Sequence, residues 1–143
     1  MPTIRTARPD DAPSIRALAE ELGYEPTLGV VQAALSDALA DPRQTVLVVD
    51  EAGVCVGWTQ VVVASSLTSD PIAEVHGLVV AEGWRSQGWG SHLMDAAEEW
   101  AVEQGVRRLR VRTNVLRERA HRFYEKLWYD LAKQQKVYEK DLS

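Results

Sequence analysis

The chain has 143 residues, 45% of them hydrophobic, which is the size of one ordinary domain with enough apolar material for a single continuous core. Sixteen Lys and Arg against twenty-one Asp and Glu give a net charge of −5, which argues against general attraction to nucleic acid or an anionic membrane and suits a cationic partner. The lone cysteine, Cys55, excludes an intrachain disulfide and a cysteine metal cluster, and no apolar run reaches the roughly 20 residues of a membrane span.

Ile4 to Arg8 is predicted as a first strand, and Pro9-Asp10-Asp11 as a turn that also caps a helix carrying Ile15, Leu18, Ala19 and Leu22 at helical spacing. Gly23 stops that helix, and Val31, Ala34, Leu35, Ala38 and Leu39 mark a second one. Thr45 to Asp50 and Val54 to Ala64 flank the turn Glu51-Ala52-Gly53 and read as an antiparallel hairpin, with Gly57 marking a bulge. After the polar loop Ser65 to Pro71, Ile72 to Val80 is another strand and leads into a glycine cluster. Ser91 to Gln104 is an amphipathic helix ended by Gly105, with Leu93, Ala97, Trp100 and Ala101 on its apolar face. Val106 to Thr113 alternates as a strand, Arg117 to Leu127 is helical, and Gln134 to Leu142 is predicted as a final strand. The order is β-α-α-β-β-β-α-β-α-β, with no repeat or linker, so residues 1–143 are expected to form one domain.

Strand, then Arg85-Ser86-Gln87-Gly88-Trp89-Gly90-Ser91, then helix is an arrangement whose free backbone N–H groups and helix dipole converge on an anion. Gly83 and Gly88 have Walker A spacing, but Trp89 and Gly90 stand where the Lys and Ser/Thr belong. A dinucleotide fingerprint would need a third glycine where Leu93 stands. Neither phosphate motif fits, and a plain glycine-rich turn is the alternative.

Arg85-x-x-Gly88-x-Gly90 after Leu78-Val79-Val80 closely resembles the coenzyme A signature of the GNAT superfamily of N-acetyltransferases. Ala120-His121-Arg122-Phe123-Tyr124-Glu125-Lys126-Leu127 is similar to that family's second motif, and the resemblance covers nearly the whole chain. It implies an α/β (α+β) fold with a mixed, mostly antiparallel central sheet flanked by helices, and acetyl-CoA as cosubstrate without a metal. It also implies main-chain hydrogen bonds from Leu78, Val79 and Val80 to the pantetheine arm, with Ser86, Gln87, Gly88, Trp89, Gly90 and Ser91 wrapping the pyrophosphate and Arg85 adding charge. Asn114 is carried over as the nearest match to a family asparagine, whose place is taken by Arg117. Leu127-Trp128-Tyr129 departs from the family's Leu-Gly-aromatic, so a Trp occupies a helix-ending glycine position and is strained if that position needs positive φ.

Acetyl transfer needs a neutral amine, yet an alkyl amine with a pKa of about 10.4 is protonated at neutral pH, so some group must take the proton. In the strand Ala73 to Val80, Glu74, His76 and Leu78 are expected to share one face, and the resemblance implies that the attacking amine approaches beside this strand near the glycine loop, so Glu74 is the first candidate base and His76 the second. The alternatives are a salt-bridged Glu74 and a core His76. A backbone N–H near Leu78 or Val79 is placed to stabilise the oxyanion. Tyr124 resembles the family residue that protonates the departing thiolate; a core aromatic is its alternative.

The arginines between Arg107 and Arg122 read as a solvated face, with Arg117 or Arg122 candidates for the adenosine 3′-phosphate. Cys55 reads as a small buried hydrophobe, and Trp58, Trp84, Trp89 and Trp100 as core or groove-lining residues. Tyr24, Glu25 and the loop Ser65 to Pro71 are expected to line the acceptor pocket. Expected partners are a small-molecule or peptide amine, with no nucleic acid and no membrane. Homodimerisation is left open. The opening Met1-Pro2-Thr3-Ile4-Arg5 lacks a signal-peptide core, so a cytoplasmic location is expected. A non-catalytic acyl-CoA-binding module and another nucleotide-binding α/β domain compete with an active enzyme; only the enzyme needs Tyr124 and Glu74.

Overall fold

In the computed structural model, which describes residues 2–112 and 118–143, the two β-branched runs form the expected hairpin as β2 (Gln44–Glu51) and β3 (Val54–Ala64). Ala52 and Gly53 both have positive φ, as a two-residue type I′ loop requires, and Asp50 Oδ1 accepts the Gly53 N–H at 2.8 Å. The ladder shifts between Val49 and Asp50, opposite Gly57 and Cys55, so the bulge expected at Gly57 is present. β1 (Thr3–Thr6) pairs antiparallel with β2, and β4 (Ile72–Val80) antiparallel with β3. β5 (Leu109–Val111) joins β4 in parallel, which completes a sheet ordered β1-β2-β3-β4-β5.

Helices cover both faces. α1 (Ala12–Ala19) and α2 (Leu28–Ala40) pack on one, burying Ile15, Leu18, Val31 and Leu35 against Val46, Val48 and Val79. Thr27 caps α2 by accepting the Val30 N–H, and Gly23 ends the turn after α1 in the left-handed conformation. On the other face α3 (Trp89–Glu103) buries Leu93 against Leu47 and Val49. Val48 and Val49 are fully buried on opposite faces, each stabilising the sheet by roughly 1.5–3 kcal/mol.

Arg5 ties the sheet edge to the first turn: its guanidinium holds Asp11 at 2.8 and 2.9 Å and also bonds Asp50. Burial pushes the Asp11 carboxyl up, but the bonds from Arg5 and from the Arg8 N–H outweigh it and hold that carboxyl below the usual range. Cys55 is the inert residue expected, since burial pushes its thiol up to about 11.

The chain divides into two compact units, Met1–Val111 and Arg112–Ser143. In the second, α4 (Glu118–Lys126) ends in a Schellman pair, Tyr129 N–H to Tyr124 O at 3.0 Å and Trp128 N–H to Glu125 O at 3.1 Å. Trp128 has φ of 69°, so the position does require the conformation glycine favours, and the Trp side chain stands 92% exposed. The strand expected over Gln134 to Leu142 does not form, and Val137, Tyr138 and Leu142 are exposed. Their spacing lacks the strict alternation of a half-buried strand, and no ladder partner holds this backbone extended. Of the strand predicted over Val106 to Thr113, Leu109–Val111 pairs in the sheet as β5, and Thr113 lies outside the described residues.

Candidate functional site

β4 is paired with β3 along its length but with β5 only at Ala73, Glu74 and Val75. From His76 to Val80 the side that faced β5 has no strand beside it among the described residues. The change coincides with a bulge, where His76 and Gly77 together stand opposite Gln60. Gly77 has φ of 90°, and the buried Thr59 hydroxyl donates to its carbonyl at 2.6 Å. A Cβ at Gly77 would lie 2.8 Å from Trp58 Cη2, so conformation and space both demand glycine.

The bulge corrects one sequence expectation. Val75 stands opposite Val61 and Leu78 opposite Thr59, so both lie on the α3 face, where Leu78 and Val80 pack beside Leu93. Glu74 lies on the α1/α2 face, and Leu78 does not share it. Strict alternation fails because the extra residue turns the strand over.

Glu74 and His76 are brought together, with Nε2 and Oε2 3.3 Å apart, and Arg110 Nη1 lies 3.6 Å from Glu74 Oε1. The Glu74 side chain is 16% exposed and that of His76 48%, so His76 is not a core histidine. A carboxylate beside a guanidinium and an exposed imidazole has the chemistry to hold an ammonium and take its proton.

The glycine loop fits a diphosphate. Gly88 caps α3 with φ of 88° and no side chain bonds the first turn, so those N–H groups and the dipole remain available to an anion. A Cβ at Gly88 would meet only His92 Nε2, at 4.0 Å, so the loop is open there. Ser86 also has positive φ, and Gln87 donates to Gly83 O at 3.3 Å. Trp89 packs with the α3-side core and against the His92 ring. Arg85 is engaged within the protein: Nη2 bonds Glu21 at 2.7 Å and Nε donates to Val80 O at 3.1 Å. The unpaired edge beyond Val75 offers main-chain groups to an amide-bearing arm.

Tyr124 stands on α4, in the second unit, edge-on to Phe123 and Tyr129 at 5.1 and 6.0 Å. Arg122 lies on the same helix, whereas Asn114 and Arg117 lie outside the described residues.

A cavity of about 420 Å³ opens between the α1/α2 layer and the sheet. Tyr24 and Glu25, two of the residues expected at the acceptor pocket, line this cavity; the loop 65–71 is not among its described lining residues. Sequence reasoning missed Gly77, Gln60, Arg110 and the part played by Trp58. A glycine inside an otherwise β-branched strand was the available signal for the first.

Residues 7–128 match the acetyltransferase (GNAT) family. The chain is 27% identical over 116 residues to aminoglycoside N(6′)-acetyltransferase type 1 of Serratia marcescens, covering 78% of this chain and 80% of that protein. It is 28% identical over 132 residues to the uncharacterized N-acetyltransferase YhfO of Bacillus subtilis, covering 89% of each. Among solved structures, AAC(6′)-Iy in complex with a bisubstrate analog of coenzyme A superposes with a TM-score of 0.86 at 17% identity over 99% of both chains, a likeness of fold. A putative acetyltransferase from Agrobacterium tumefaciens superposes with a TM-score of 0.84 at 25% identity, covering 96% of this chain and 99% of that one. With the glycine loop, the parted strand and a match spanning most of its length, the chain belongs to the GNAT acetyltransferase family.

Proposed function

We propose that residues 1–143 act as one acetyl-CoA-dependent N-acetyltransferase domain that acetylates a primary amine of a small molecule or peptide by direct attack. The observation that carries this reading is the parting of β4 from β5 after Val75, beside the Glu74–His76 pair and one strand-half away from the glycine loop. Acetyl-CoA, when bound, supplies the activated thioester.

The N–H groups from Ser86 to Ser91 and the α3 dipole receive the pyrophosphate. Arg85 joins them by exchanging its bond to Glu21. Leu78, Val79 and Val80 offer main-chain bonds to the pantetheine arm, and an N–H near Leu78 or Val79 faces the carbonyl oxygen. Glu74 holds the ammonium and accepts its proton, directly or through water, with His76 as relay or second base. Tyr124 protonates the departing thiolate; Arg117 or Arg122 meets the 3′-phosphate, and Asn114 has a supporting role.

Release of free thiol from acetyl-CoA in the presence of amines tests the reading. Glu74→Gln keeps shape while removing the base, so kcat/KM should fall about 10²-fold at neutral pH and partly recover at alkaline pH, where more amine is already neutral. Tyr124→Phe should lower kcat about 10²-fold with coenzyme A affinity little changed. Binding of acetyl-CoA with no thiol release from any amine would leave a non-catalytic binding module instead.

A further inference from the structure

The cavity between the α1/α2 layer and the sheet limits what acceptor it takes. Its walls are Ile15, Val31, Leu35 and Val46, its floor is Trp58 and Gln60, and Tyr24 stands half-open at its rim. Among the described lining residues there is one carboxylate, Glu25, which lies on the exposed loop after Gly23. The Gln60 amide donates one N–H to Gln44 Oε1 at 2.9 Å and is a neutral group. A polycation placed here would bury several ammonium groups against carbon with one rim carboxylate to answer them, and each unpaired buried charge is costly.

The floor of the cavity leads to the proposed base. Trp58 lies against Gly77, and Gln60 stands opposite the bulge formed by His76 and Gly77. Glu74 pairs with Val62, two residues along β3 from Gln60 on the same face, and neighbouring strands lie about 5 Å apart. Glu74 is therefore about 7 Å along the strand direction from Gln60 and one strand across, so a molecule whose body fills the cavity as far as Gln60 reaches Glu74 with an extended arm that runs along β3.

From this we infer that the acceptor is a monocationic primary amine with an apolar body, of the arylalkyl or branched-alkyl class, whose hydrophobic part fills the cavity while its amino group lies at Glu74. This rests on the acetyltransferase reading above and assigns its substrate class. It sets the chain apart from the aminoglycoside chemistry in the name of its Serratia relative.

The test is a comparison of acceptors with the full-length protein and acetyl-CoA: n-alkylamines of increasing length, 2-phenylethylamine, spermidine, kanamycin and a peptide with a free N-terminus. Along the alkyl series kcat/KM should rise about fourfold per methylene until the cavity is full, and 2-phenylethylamine should exceed kanamycin and spermidine by at least about 10²-fold. Ala34→Phe, which projects a ring into the cavity from α2, should erase that rise and leave coenzyme A affinity unchanged. Binding of 2-phenylethylamine to the protein with coenzyme A, followed by calorimetry, reads the same preference without turnover. Best turnover with kanamycin, spermidine or the peptide overturns the inference and leaves the acetyltransferase reading standing. Calorimetric binding of 2-phenylethylamine that is lost in Ala34→Phe supports the inference where amines are acetylated; with no amine acetylated, the acetyltransferase reading falls and the acceptor assignment with it. Absence of binding together with a flat alkyl series overturns the inference.

Discussion

The first half of β4, Ile72 to Val75, is held by strands on both sides, while the second half, His76 to Val80, is held on one. The same strand thus does two jobs. Its closed half fixes Glu74 between β3 and β5, with Arg110 of β5 against the carboxylate, so the side chain is positioned by a rigid support. Its open half leaves main-chain groups unclaimed by a neighbouring strand, which is what an extended ligand needs. The bulge at His76 and Gly77 is the boundary, and it turns the side chains over so that Glu74 lies on the α1/α2 face while Leu78 packs under α3.

The largest effect should come from removing that boundary. Gly77→Ala places a Cβ 2.8 Å from the Trp58 ring at φ of 90°, so left-handed strain of about 1–2 kcal/mol adds to overpacking of about 1–3 kcal/mol. Relief requires Trp58 to move or the bulge to flatten, and either one shifts Glu74 relative to the cavity floor at Trp58 and Gln60. Urea unfolding should show the stability loss, and kcat/KM measured where the variant remains folded should drop about 10²-fold. Native activity in the variant would show that the two halves do not depend on the bulge.

A smaller effect of a different kind is expected in the closed half. Val75 is buried and faces α3, away from Glu74. Val75→Ala should cost about 2 kcal/mol of stability through lost burial and a residual cavity, while kcat changes by less than about twofold. If kcat falls as far as in Gly77→Ala, support and chemistry are not separable along this strand.

Much of this was legible beforehand because burial on one face of a sheet writes its period into the sequence. Val54 to Ala64 and Ile72 to Val80 were predicted at the residues where β3 and β4 begin and end, and the glycine loop stood out between strand and helix. What failed was whatever depended on a neighbour. The bulge at Gly77 needs Trp58 above it and Thr59 beside it, both remote in sequence, so period-two counting carried Leu78 onto the wrong face. Arg110 reads in the sequence as part of the solvated arginine face between Arg107 and Arg122, because its register with Glu74 is set only by strand pairing. Gln134 to Leu142 was predicted as a strand on local composition, and without a ladder partner that composition does not hold an extended backbone.

The smallest effect isolates one component of the Gly77 prediction. Trp128 shares the left-handed conformation of Gly77, with φ of 69°, but its side chain stands in solvent, so nothing there corresponds to the Trp58 contact. Trp128→Gly therefore removes left-handed strain of about 1–2 kcal/mol, against which the freer unfolded glycine returns about 0.4–1 kcal/mol. The net gain should be about 0.5–1 kcal/mol, localised at the end of α4. Hydrogen exchange of the Tyr129 amide, which bonds Tyr124 O across this turn, should slow by about two- to fivefold. Slower exchange of that size would give the strain cost alone and leave the rest of the Gly77→Ala penalty to the crowding of Trp58. Faster exchange would mean that Trp128 contributes packing that its exposure conceals, and that conformation and space cannot be divided in this way.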